Sequence, residues 1–256
     1  MVQVPAKLSR MKPKNGLAHV FHLVLTLLLP ILVYVMVRIH FAQIALLLIL
    51  ISKWRMFAVK PRHWPANIRA NAIDIIVGVS ILVFMTQSGS QLLQLTWAVA
   101  YAVWLLFIKP GSSVLYVSAQ ALIGQFAGLA ALFLIGNRQS IFLNTAVLVV
   151  ATWAICYLAA RHFLASFDEP QTRFFSYLWG YFGAALVWLL SHWLLFYGPI
   201  AQPALLISVI GFGLATLYYL QETDRLSTFF QRQILFIMFA IVIILILFSD
   251  WGDKTI

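Results

Sequence analysis

Residues 17–37 read LAHVFHLVLTLLLPILVYVMV, a run without a charge, and Lys7, Arg10, Lys12 and Lys14 stand just before it. At about 1.5 Å per residue such a helix covers roughly 31 Å, the thickness of a bilayer's hydrocarbon core. A secretory signal also starts basic, but its apolar region has only ~7–15 residues and a small-residue cleavage site follows it. Here the run is longer and leads into Arg38, Ile39 and His40. It predicts a first transmembrane helix that stays in place and directs insertion.

The pattern recurs along the chain. Apolar segments lie at 17–37, 39–57, 72–86, 92–108, 112–136, 141–165, 174–197, 200–220 and 233–249. The second crosses only if Lys53 and Arg55 extend to the headgroups, and the third is short. With the amino terminus inside, fourteen of the 17 Lys and Arg residues fall on the cytoplasmic side and Arg38, Arg138 and Lys254 outside. That asymmetry is what the positive-inside rule demands of a correct assignment. The fold class expected is therefore an all-α, polytopic integral membrane bundle of about nine transmembrane helices, N-in and C-out, with no soluble domain. A basic tail (1–16) leads into one membrane domain (17–249), and a short external tail (250–256) ends the chain.

Composition agrees. Of 256 residues, 63% are hydrophobic and 9% charged, against roughly 45–50% and about 25% in a soluble domain. The single cysteine, Cys156, excludes an internal disulfide and a cysteine-based metal site. The net charge of +10 resides at segment ends, where it meets headgroups, so the expected partners are anionic membrane lipids and membrane proteins, not nucleic acid. The membrane expected is a cell membrane of the cytoplasmic type. No cofactor and no metal are expected.

Six groups of residues stand out. In 53–69, Lys53, Arg55, Lys60, Arg62 and Arg69 alternate with aromatics including Trp64, and His63 lies among them. Cations and indole rings favour the headgroup level, so the segment is either a lipid-phosphate site or an interfacial anchor. Asp74 is the acid nearest a membrane interior and a candidate for ligand or proton handling; with Asn71 three residues before it, it also reads as a helix-capping arrangement. His19, His22, Thr26 and Pro30 share one face of the first segment, and Pro30 leaves the Thr26 carbonyl without its helical donor. In 174–197, ten aromatics occur, and Tyr181, Trp188 and His192 share a face suited to an acyl or isoprenoid chain. Gln120, Gly124 and Gly128 form a small-residue face with one amide, a helix-packing signature. Residues 224–232 read as an amphipathic elbow on the membrane surface.

The chain contains no HExxH, no Walker motif, no glutamate within a proposed span and no lysine in its last segment. These absences remove the zinc membrane proteases, nucleotide-driven pumps and retinal Schiff-base proteins. The function expected is non-enzymatic handling or translocation of a lipidic or small amphiphilic ligand. The alternative is a structural subunit of a membrane complex. A third reading is an enzyme acting on lipid phosphates through His63 or His192.

Overall fold

In a computed structural model of the chain, the residues described are 16–58, 60–138, 145–167, 169–191, 196–197 and 200–250. Among them the chain forms α1 (Gly16–Arg38), α2 (Ala42–Ile51), α3 (Trp64–Gln87), α4 (Gln91–Val103), α5 (Val114–Arg138), α6 (Thr145–Leu164), α7 (Thr172–Leu190), α8 (Gln202–Glu222) and α9 (Thr228–Phe248). A two-residue antiparallel pairing sets Phe196 opposite Ala201 and Tyr197 opposite Ile200. The fold is helical, and among the described residues six helices are long and apolar enough to cross a membrane: those within 61–87, 91–108, 114–136, 145–167, 202–222 and 228–248. Apart from Gly16 and Asp250, the expected tails lie outside the described residues.

Two weak segments resolve in opposite ways. The short third segment belongs to a helix of 24 residues, because Pro65 starts the helix rather than breaking it: a first-turn proline sacrifices no hydrogen bond. Segment 39–57, by contrast, contains a helix of only 10 residues, about 15 Å long and half a hydrocarbon core. Lys53 turns inward just past its end, and the chain continues as a 3-10 turn (Trp54–Phe57). The expected elbow at 224–232 is not a separate element. Asp224, at φ 53°, closes α8 while the Arg225 amide donates to Leu220 and the Asp224 amide to Gln221, a Schellman closure. The Ser227 hydroxyl then caps α9, so Phe229 and Phe230 belong to its first turn.

The two larger apolar clusters divide the bundle. Val33, Ile49, Val77, Met85 and Tyr101 centre one among α1–α4. Leu129, Phe133, Cys156, Val187 and Ile207 centre the other among α5–α8. The small-residue face of α5 joins them: a Cβ at Gly124 would lie 2.8 Å from Ile73 Cγ2, and one at Gly128 2.7 Å from Ile76 Cγ2. Those glycines let α5 approach α3 closely within one chain, by dispersion contacts that lipid cannot replace. The most extensively packed helix pair among the described residues is α6 and α7, where a Cβ at Gly183 would meet Cys156 Sγ at 2.8 Å. At the far edge, α9 buries only Leu245 among its residues.

Candidate functional site

A charge cluster pins the first half of the bundle. Asp74 is buried ten residues beyond the start of α3, so it caps nothing. Its Oδ2 accepts from Lys53 Nζ, and Lys109 Nζ lies 2.6 Å from the same oxygen. The Trp104 indole N–H donates to Oδ1 at 2.9 Å. The local backbone explains how Trp104 and Lys109 converge. Five residues apart on an α-helix they would diverge by roughly 140°. A π-helical turn (Trp104–Ile108) instead bonds the Lys109 amide to the Trp104 carbonyl at 2.9 Å, stacking one above the other. A carboxylate removed from water needs such partners, since an unpaired buried charge costs several kcal/mol or about that order.

Gln120 finishes the same turn. Pro110 has no amide hydrogen, and the Gln120 Nε2 group donates to the carbonyls of Ile108 at 2.7 Å and Gly111 at 3.0 Å. Its Oε1 is left to accept from His162 Nε2 at 3.0 Å. A buried amide that satisfies several backbone acceptors is a structural clasp.

The second half of the bundle holds a groove of about 510 Å³ between α5, α6, α7 and α8. Its walls come from 121–125 of α5, 159–164 of α6, 175–182 of α7 and 210–218 of α8. In four consecutive helices these are start, end, start and end. The groove therefore occupies the half of the bundle that carries Lys109, Arg161 and Arg173 at its helix ends. It exists because α7 and α8 scarcely touch, whereas α6 and α7 are tightly packed. Its lining is apolar except for two residues, Gln125 and Tyr218.

Both are tethered. The Trp179 indole N–H donates to Gln125 Oε1 at 2.7 Å, and Gln125 Nε2 reaches the Ile207 carbonyl at 3.5 Å. Tyr218 donates its hydroxyl to Glu169 Oε2 at 2.5 Å, and the Gln171 amide donates to the other carboxylate oxygen at 3.1 Å. Glu169 lies in the connection between α6 and α7. The Tyr218 hydroxyl first, then the Gln171 amide, holds its carboxyl below the ordinary glutamate range by stabilising the anion.

The residues singled out from sequence scatter. Lys60, Arg62, His63, Trp64 and Arg69 are exposed around the start of α3, with Arg62 Nε 2.8 Å from His63 Nε2. Lys53, expected among headgroups, is instead buried against Asp74. Tyr181 and Trp188 are 70% and 60% exposed, on the outer surface of α7. The groove uses other residues of α7, Phe175, Leu178, Trp179 and Phe182. Thr26 is half-buried on α1 and Pro30 fully buried. The side chains of His19, His22 and Arg55, and residue His192, lie outside the described residues. Gln125 and Lys109 were not singled out. Gln125 carried a signal all the same, as an amide within an apolar run. Among the described residues no trio of His, Cys, Asp or Glu could hold a metal.

No family profile matches the chain, and no curated protein or solved structure does either.

Proposed function

We propose that the protein holds and passes on a lipidic or small amphiphilic ligand within a cell membrane. The observation that carries this reading is the apolar groove of about 510 Å³ among α5–α8. Small-molecule sites occupy roughly 300–1,000 Å³ and bury most of the ligand behind apolar walls with few polar groups. Among the groove walls there is no charged side chain, so an ion or a sugar would lose its hydration there without replacement. A hydrocarbon chain or an apolar ring loses nothing.

In this reading the chain crosses nine times, N-in and C-out. The bias of the cations supports it, and the crossing that needs most support is 39–57. Descending about 15 Å, α2 brings Lys53 level with Asp74, and the ion pair removes the cost of a free cation at that depth. The 3-10 turn that follows continues the path to the face where Lys60, Arg62 and Arg69 are exposed. Beside Trp54 and Trp64, these cations suit anionic headgroups.

The test is lipid immobilisation. Protein reconstituted in phosphatidylglycerol–phosphatidylcholine nanodiscs is expected to give an immobilised electron-spin component with doxyl-labelled stearate. The double variant Ala160→Leu/Ala215→Leu, which fills the groove, should lose most of it. Equal immobilisation by both proteins would sink the reading.

One observation favours a second reading, a structural subunit. The most apolar span, 228–248, buries only Leu245, which leaves a whole helix available to another membrane protein. Co-purification of a stoichiometric partner that is lost on replacing α9 with a polyleucine helix would support it.

A further inference from the structure

Gln125 is 4% exposed and lies in the wall of the groove. Which end of its amide faces which neighbour is fixed by chemistry. The indole of Trp179 can only donate, so the oxygen of Gln125 must be the atom 2.7 Å from it. The two N–H groups of Nε2 are then directed toward α8. There Gly211 makes room for them: a Cβ at that position would lie 2.8 Å from Nε2. One N–H reaches the Ile207 carbonyl at 3.5 Å, the limit of a hydrogen bond, and the other has no acceptor among the described residues. A buried donor without an acceptor costs about 1–3 kcal/mol, so such a group commonly marks a place that a ligand or water completes.

The surroundings narrow what the ligand can be. Tyr218, the other polar group of the wall, already donates its hydroxyl hydrogen to Glu169. From Tyr218 to Gly211 is seven helical residues, about 10 Å, so the spare donor lies deep in the groove, away from the end where Glu169 sits. Trp179 and Phe182 stack beside it, with centroids 5.3 Å apart and planes 21° apart, and offer flat faces to a ring. The ester carbonyls of a membrane lipid belong near the headgroups, so the ligand acceptor must be set within the hydrocarbon. It must be neutral, since no cation lines the wall.

We propose that the groove takes a neutral ring bearing a carbonyl, of the quinone class, with its carbonyl oxygen accepting from Gln125 Nε2. This rests on the lipidic-ligand reading and adds its polar determinant. The experiment displaces doxyl-stearate from the nanodisc-bound protein with decylbenzoquinone or with decylbenzene, its carbonyl-free counterpart. The wild-type protein is expected to need about tenfold less of the quinone, the size of one hydrogen bond. With Gln125→Met, which keeps the volume and removes the donor, the two compounds should become equal. If both displace the probe equally from the wild-type protein, the carbonyl proposal falls and the groove reading survives. Should neither displace it, the groove reading falls as well. A preference that persists in Gln125→Met overturns the assignment to Gln125, and the wild-type comparison stands even if that variant does not fold.

Discussion

A carboxylate inside an apolar bundle must be neutralised by what surrounds it, and Asp74 has two lysines and an indole around it. Removing the carboxylate leaves Lys53 buried and unmatched. Asp74→Asn is therefore expected to destabilise the protein by about 3–5 kcal/mol, read as a fall in thermal midpoint in detergent. Adding Lys53→Met should recover part of the loss, because the second change removes the stranded cation. A double variant no better than the single one would show that the pair is not the cause. Glu169 makes a different prediction. Its depressed carboxyl pKa contributes stability that is complete above the ordinary glutamate range and disappears as pH falls through the lower, folded-state value. Tyr218→Phe removes the largest cause of that depression. The midpoint difference between wild type and Tyr218→Phe should be widest near neutral pH and shrink in acid. A difference that grows on acidification would contradict the linkage.

Among the elements, α5 does the joining. Its glycines meet Ile73 and Ile76 of α3, and a Cβ at Gly128 would also come within 3.1 Å of Ile155 on α6. Overfilling a close helix contact costs typically about 1–3 kcal/mol, so Gly128→Leu should lower the thermal midpoint without altering the helix content measured by circular dichroism. This contact was legible beforehand, because small residues four apart in an apolar helix have few other uses. The start of α3 was not. A proline can end a helix as readily as open one, and only the three-dimensional path makes Pro65 a first-turn residue. The π-turn after α4 was equally hidden. Nothing in Trp104–Ile108 departs from ordinary helical composition; the need to bring Lys109 onto Asp74 is a tertiary demand.

At the scale of the whole molecule, the apolar segments foretold the helices, because bilayer thickness imposes length and composition together. The groove was beyond reach. Outside the small-residue face of Ser176, Gly180, Gly183 and Ala184, aromatic residues cover α7, and no periodicity says whether Tyr181 or Trp179 turns toward neighbours. The proposed nine-crossing topology carries its own prediction. A reporter fused after Ile256 that is active only outside the cytoplasm should score, and the same reporter fused after Lys109 should not. Activity of both, or of the second alone, would reject the orientation.

The loose seam between α7 and α8 also sets how the groove would be supplied. An opening that faces hydrocarbon draws on molecules diffusing in two dimensions within one leaflet. Its occupancy would follow the mole fraction of ligand in the surrounding lipid, not a molar concentration in water. Diluting the protein in buffer would leave it filled, whereas adding empty vesicles or excess detergent would drain it.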